Sequence, residues 1–238
     1  MINIKDLTIC FGERKLLNNV TTVFPSQKLT AIIGRNGTGK STMIKALCGL
    51  NDHYSGDILI EGENIRKIPK NKIASTIAYV NTQRPRIANL KCKDVVALGR
   101  SPYTGWHGKL SDEDIKKISK SMELVGMSEY ANRNFNSLSD GESQKIMIAR
   151  AIAQDTPIII LDEPTSFLDL PTRYELVNLL KQLTKEGKTI IFSTHELDIA
   201  LKLSDNIAML EDSKIINLPV EDMKDFIINQ HHPFGNFF

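Results

Sequence analysis

Hydrophobic positions along the chain change period several times, and each change marks an element. Ile2, Ile4, Leu7 and Ile9 fall between polar residues over 2–10, as in a strand with one wet face. A second such segment, 56–62, is bounded by Gly56 and Gly62. Five other runs are apolar and rich in Ile and Val: 29–33, 77–80, 158–162, 189–194 and 207–210. Strands covered on both faces lose their alternation, so these runs predict a parallel sheet with flanking helices. Helical spacing fills the gaps over 40–50, over 174–186, where Leu176, Leu179, Leu180 and Leu183 recur, and over 197–203. Strand and helix take turns, which predicts an α/β fold.

Residues 86–150 break this rhythm, with helical patterns and no convincing buried strand. Ile115, Ile118, Met122 and Val125 predict a helix over 112–125, with Ser111 as its cap. Val95-Val96-Ala97-Leu98-Gly99-Arg100-Ser101-Pro102-Tyr103 reads as a helix ended by Gly99, with Pro102 preventing its continuation. A further helix is expected over 145–153. No repeat or low-complexity tract is evident, and the aromatic tail 231–238 is assigned no structure.

Composition narrows the classes. Across 238 residues, 41% are hydrophobic and 24% charged, ordinary values for a globular protein. Thirty Lys and Arg face 28 Asp and Glu, so there is no basic surplus of the kind that marks a dedicated nucleic-acid binder. Cys10, Cys48 and Cys92 are odd in number and far apart, which argues for reduced thiols and against a disulfide framework or zinc site. No run is long and apolar enough to cross a bilayer, and the start lacks a signal-peptide core. Any link to a membrane is therefore expected to run through a partner.

Gly34-Arg35-Asn36-Gly37-Thr38-Gly39-Lys40-Ser41 matches the phosphate-loop pattern G-x-x-x-x-G-K-[ST] at every fixed position. It follows a predicted strand and opens a predicted helix, the context the motif requires. Glycines let backbone N–H groups curl around phosphate oxygens, and the helix N-terminus adds partial positive charge. In that arrangement Lys40 reaches the β- and γ-phosphates, and Ser41 ligates Mg²⁺. Thr42 belongs to the same nucleotide-binding set. The motif specifies a nucleotide binder without separating a kinase from a GTPase or a motor.

Downstream, the run 158–161 ends in Asp162-Glu163. Asp162 is the candidate Mg²⁺ carboxylate, and Glu163 the candidate base for an attacking water. On their own these acids read equally well as the wet end of a strand. Leu138-Ser139-Asp140-Gly141-Glu142-Ser143-Gln144 carries capping-box spacing at Ser139 and Glu142, and by itself reads as a well-capped helix start.

The order of these segments changes their weight. Phosphate loop, Gln83, helical stretch, capped segment, Asp162-Glu163, Asp169 and His195 together resemble the ATP-binding subunit of an ABC transporter, over nearly the whole chain to about Leu210. The capped segment is similar to that family's L-S-G-G-Q signature. The resemblance implies a P-loop NTPase core with a mainly parallel sheet, an N-terminal antiparallel β subdomain and an inserted helical subdomain. It implies one ATPase domain, 1–238, with the nucleotide-binding core in 1–85 and 151–238 and the helical subdomain in 86–150. It implies that Gln83 contacts Mg²⁺ and links the site to a membrane subunit, that Asp169 lies on a loop crossing a dimer interface, that His195 contacts the γ-phosphate, and that Phe11 lies against adenine. Two homodimer subunits would sandwich ATP, with Ser139 and Gly141 of one covering the phosphate loop of the other. A polytopic permease and, indirectly, a substrate-binding protein would complete a machine at the cytoplasmic face of the membrane, with no nucleic-acid partner.

Asp140 and Glu142 stand where the signature has Gly and Gln, adding negative charge near the expected phosphate. Phe11 stands where Tyr is common; it keeps the stacking face and loses the hydroxyl. The string V-A-L-G-R-x-P-Y at 96–103 is similar to importers of iron–siderophore, haem and vitamin B12 chelates, which implies uptake of an iron chelate or haem, with cobalamin next. An exporter subunit shares the catalytic motifs. A soluble ABC protein acting on ribosomes or DNA would generally carry two cassettes or a long coiled coil. A small-molecule kinase would not carry the signature, Asp169 and His195 in this order.

Overall fold

The computed structural model describes residues 1–82, 89–105 and 108–229. Gln83 and the tail 231–238 lie outside them. In chain order the elements are β1 (Ile2–Phe11), β2 (Arg14–Phe24), β3 (Leu29–Ile33), α1 (Lys40–Leu47), β4 (Tyr54–Ile60), β5 (Glu63–Asn64), α2 (Lys70–Thr76) and β6 (Ile77–Val80). There follow α3 (Cys92–Ala97), α4 (Asp112–Leu124), α5 (Asp140–Ala153), β7 (Ile158–Leu161), α6 (Leu170–Lys185), β8 (Thr189–Ser193), α7 (Leu197–Leu203), β9 (Asn206–Glu211), β10 (Lys214–Pro219) and α8 (Val220–Asn229).

Among the described residues the strands form two sheets. The larger has the order β10-β9-β3-β8-β7-β6, parallel except where β10 turns back along β9. The smaller is antiparallel, in the order β2-β1-β4-β5. The fold is thus α/β with a mostly parallel sheet and an antiparallel β sheet, as expected.

Strand period explains the two cores. Ile158, Ile160, Ile32 and Ile191 join Ile2, Ile4, Ile9, Met43 and Leu47 beneath the antiparallel sheet and α1. Ile159, Leu161, Ala31, Ile33, Ile190 and Phe192 point the other way, into a core shared with α3–α8. Successive side chains leave a strand on opposite faces, so one apolar run serves both layers. Between β6 and β7 the described residues form helices and 3₁₀ turns, with an isolated bridge from Lys91 to Asn134. No helix of the described residues is long and apolar enough to cross a membrane.

Several boundaries differ from the sequence reading, for local reasons. The helix expected from residue 145 begins at Asp140, because Ser139 caps it with reciprocal bonds to Glu142. α6 begins at Leu170 rather than 174, because Asp169 accepts the Thr172 N–H and Pro171 fits the first turn. Gly99 does not end the chain's helical path: a 3₁₀ turn continues from Leu98 to Tyr103 with Pro102 inside it. A Cβ on Gly99 would run into the carbonyl of Arg150 on α5, so close packing rather than a helix stop accounts for that glycine.

Arg100 follows at once and is buried. Its Nε donates to Asp114 Oδ1 at 2.7 Å, and its Nη1 donates to the carbonyls of Ala153 and Gln154 at the end of α5. The clamp joins the start of α4 to the end of α5. Hydrogen bonds from the Ser111 hydroxyl and backbone, then from Arg100, hold the Asp114 carboxyl down to about 2. Its stabilising contribution is therefore complete above the ordinary aspartate value of about 4 and is lost as pH falls toward 2. In acid unfolding titrations, Asp114→Asn should be less stable than wild type near neutrality and should lose less stability across that window. Parallel profiles for the two proteins would contradict this role.

Candidate nucleotide site

Parallel pairing brings the strand ends into line. Ile32 is paired with Ser193, and Leu161 with both Val80 and Phe192, so β3, β6, β7 and β8 deliver their following loops to one edge of the sheet. Ligand sites in such sheets form at these carboxyl ends. From β3 the chain enters residues 34–39, which end at Gly39 with φ of 102°, a conformation that favours glycine. Gly39 occupies the N-cap of α1, where no side chain caps the helix. The first-turn amides of α1 are therefore without a side-chain acceptor, and anionic oxygens satisfy such groups.

Lys40 curls into this loop. Its Nζ donates to the carbonyls of Gly34 at 2.8 Å and Arg35 at 3.4 Å. The residue is 6% exposed, and burial lowers its pKa, opposed by the charges of Glu163 and Asp162. The cleft has a volume of about 470 Å³, and Phe11, Arg14, Asn36, Lys40, Ser41 and Glu163 are among the residues that line it, with Gly37 and Thr42. Phe11 is 77% exposed, so its ring presents a free stacking face. Arg35 and Thr38 complete the loop: Thr38 donates its N–H and its hydroxyl to the Arg35 carbonyl.

Asp162 lies at the centre and is 2% exposed. Its Oδ1 accepts from Ser41 Oγ at 3.0 Å and from Ser193 Oγ at 2.7 Å. Ser193 also accepts the Glu163 N–H at 2.9 Å, and Thr82 Oγ1 donates to the Asp162 carbonyl at 2.8 Å. Glu163 is held at a positive φ of 46°, an uncommon conformation for a non-glycine residue. Its carboxylate accepts from Ser166 Oγ at 3.3 Å and lies 3.9 Å from His195 Nδ1.

Among the described residues no three His, Cys, Asp or Glu side chains cluster as metal ligands. The donors at hand are the Ser41 hydroxyl and the Asp162 carboxylate. Two hard oxygens fit Mg²⁺, which keeps water and phosphate oxygens in its remaining positions.

The remaining candidates form a second group. Ser139 caps α5, Asp169 caps α6, and a Cβ on Gly141 would lie 3.1 Å from the Phe167 carbonyl. Ser139, Gly141 and Asp169 do not line the cleft that holds Lys40. Phe167 and Leu170 are exposed beside them. Glu142 is tied back into its own chain: its Oε2 accepts the Ser139 N–H at 2.8 Å, and the Tyr130 hydroxyl donates to it. The Ser139 backbone, then Tyr130 and the Ser139 hydroxyl, hold its carboxyl below the usual range.

Sequence reasoning passed over Ser193, Thr82 and Arg14. Ser193 had a signal of sorts, since it stands two residues before His195. What it bonds to depends on β8 lying beside β7.

A family model described as ABC transporter matches residues 17–166. The chain belongs to the ABC transporter family. It is an ATP-binding subunit of the ABC type, and an ATPase. The iron(3+)-hydroxamate import ATP-binding protein of Bacillus subtilis is 34% identical over 216 residues, 90% of this chain and 80% of that protein. A petrobactin import ATP-binding protein of Bacillus anthracis is 34% identical over 212 residues, 89% of this chain and 78% of the relative. A solved ATP-binding cassette, dimeric in a post-hydrolysis state with ADP and Pi, is 28% identical with a TM-score of 0.82, covering 92% of this chain and 99% of that one. Phe11, Asp169 and His195 lie outside the matched segment, so their candidacy rests on position in the fold.

Removing the Lys40 amine should strip the cleft of its buried cation. Lys40→Ala is expected to weaken ATP binding about tenfold to a hundredfold in calorimetry, the range for losing a hydrogen bond to a charged group. Unchanged affinity would place the triphosphate elsewhere.

Proposed function

We propose that this subunit works as an ATP-closed homodimer that drives uptake of a ferric siderophore through a membrane permease. One observation carries the reading: the two groups of candidate residues do not meet within a chain. The cleft at Lys40 and the patch formed by exposed Ser139 and Asp169 with half-buried Gly141 are each half of a site. A two-fold pairing would set one against the other twice over.

In that pairing Phe11 stacks on the base, and residues 34–42 hold the phosphates through backbone N–H groups and the Lys40 amine. Ser41 and Asp162 would hold Mg²⁺, with Gln83 as a further ligand. Bound there, the ion supplies neutralisation of charge on the β- and γ-phosphate oxygens. Ser193 keeps the Asp162 carboxylate aimed at Ser41 and fixes the Glu163 backbone. Glu163 orients the attacking water and accepts its proton, while His195 steadies the γ-phosphate. The partner's signature contributes Ser139 and the start of α5, whose helix dipole favours anions. Glu142, engaged by Ser139 and Tyr130, is drawn away from that face, which reduces the repulsion that its charge would otherwise add.

Closure that depends on the γ-phosphate converts hydrolysis into motion. The segment 86–150, carrying the signature, would move as a helical subdomain against the core and pass that motion to a polytopic permease at the cytoplasmic face of the membrane. The names of the relatives support ferric hydroxamates and petrobactin as the class of cargo, ahead of haem and cobalamin. A substrate-binding protein would deliver the cargo from the other side.

Replacing the base while keeping its shape should separate binding from turnover. Glu163→Gln is expected to lower ATP turnover by about a hundredfold or more, the usual worth of a general base, while dimers persist in ATP by analytical ultracentrifugation. Wild-type turnover would remove Glu163 from its role. Ser139→Arg should leave ATP binding intact and abolish those dimers; normal dimers would sink the sandwich. Co-purification from membranes, followed by ferric-hydroxamate uptake in vesicles, tests the cargo. Failure of iron-chelate uptake by a competent permease complex would overturn it.

A further inference from the structure

Glu196 immediately precedes α7, directly after His195, at the position where a side chain would normally cap the helix. It does not do so. The Glu196 N–H donates to Thr194 Oγ1 instead, and the carboxylate turns away from its own helix. Among the described residues, both partners of that carboxylate come from another part of the chain. Thr165 Oγ1, on a buried residue, donates to Glu196 Oε1 at 3.1 Å. Arg173 Nη1 lies 3.3 Å from the same oxygen. Arg173 then donates from Nε to the carbonyl of Leu168 at 2.8 Å.

These contacts bracket the loop between Glu163 and Asp169. That loop is backbone-strained: Glu163 and Phe167 both have positive φ, at 46° and 68°. Such conformations persist only where the surroundings over-determine them. Its internal bonds are short-range turns, Ser166 N–H to Glu163 O and Leu168 N–H to Thr165 O. Its long-range restraints come from Ser193, which accepts the Glu163 N–H, and from Glu196, which takes Thr165 and pairs with Arg173. At the far side of the loop the Phe167 carbonyl faces Gly141 of the signature, and Phe167 itself is exposed. A nearly buried carboxylate requires pairing, and here the pairing fastens the His195 loop to the loop that faces the partner.

We propose that Glu196 is a positioning residue: with Arg173 it locks the loop 163–169 to the His195 loop, so that the half-site presented to the partner and the half-site at the γ-phosphate hold one relative geometry. The proposal rests on the sandwich reading given above. Glu196 does not line the cleft that holds Lys40. Its effect should appear in closure and turnover, and leave the binding of ATP to a single chain untouched.

The experiment measures three quantities for each variant: ATP affinity, ATP-driven dimerisation in the Glu163→Gln background, and kcat in the wild-type background. Glu196→Ala is expected to leave affinity within about twofold while weakening dimerisation and lowering kcat by about tenfold or more, a loss seen in closure rather than in ground-state binding. Glu196→Gln keeps an acceptor for Thr165 and loses the charge opposite Arg173, so it should fall between wild type and Glu196→Ala; it also serves if the alanine variant fails to fold. Because the two side chains act as a unit, Arg173→Ala combined with Glu196→Ala should be no more than about twofold worse than either alone. Wild-type dimerisation and kcat in Glu196→Ala, multiplicative losses in the double variant, or an equal fall in affinity and kcat would each overturn the proposal. If Glu163→Gln itself fails to dimerise with ATP, the sandwich reading fails first and takes the proposal with it.

Discussion

The structure turns on one buried carboxylate. Asp162 follows β7 almost fully out of water, which is costly for a charge without partners. Two serine hydroxyls meet its Oδ1, one from the first turn of α1 and one from the end of β8. Lys40 adds its charge nearby, as its electrostatic coupling to Asp162 indicates. Strand pairing makes this possible: β3, β8 and β7 are neighbours, so loops far apart in sequence converge on a single oxygen. Thr82 and the Glu163 backbone then hang on Asp162 and Ser193. The same atoms that satisfy a buried acid therefore arrange the phosphate loop, the candidate base and the candidate metal donors.

The second organising feature is α5. Its start carries the segment similar to the signature, where Ser139 and Glu142 satisfy each other's backbone amides. Its far end is strapped to the sheet and to the helices before it. Arg150 donates to the Tyr79 carbonyl, Gln154 to the carbonyls of Ala74 and Ile77, and Arg100 to those of Ala153 and Gln154. One hydrogen-bonded helix thereby ties Ser139 and Glu142 to β6 and to the 3₁₀ turn at Leu98–Tyr103. The V-A-L-G-R-x-P-Y string, similar to that of chelate importers, supplies the close contact and the buried guanidinium of this joint.

Much of the site was legible because its chemistry is local. The phosphate loop needs glycines, a lysine and a hydroxyl at set spacing, and those requirements act over a few residues. The apolar runs announced buried strands, and Ser139 with Glu142 announced a helix start, although its first turn begins at Asp140 rather than later. β2, β5, β10, α2 and α8 were not read, since short, exposed or edge elements carry weak periodicity. Gly99 was taken for a stop signal because a glycine after apolar residues commonly is one. Its reason for being there, the backbone of α5, lies some fifty residues away.

By itself the sequence determined the class of the fold, the triphosphate loop and the acids opposite it, since period, backbone freedom and charge are properties of neighbouring residues. Tertiary structure decided which hydroxyls meet Asp162, across 121 positions for Ser41 and 31 for Ser193. It also decided that Glu142 turns toward Tyr130, that Glu196 reaches Thr165 rather than capping its own helix, and that Ser139 and Gly141 stand apart from the cleft. Those contacts follow from strand order and helix packing. Both are set by how the whole chain buries its apolar faces, which no local pattern records.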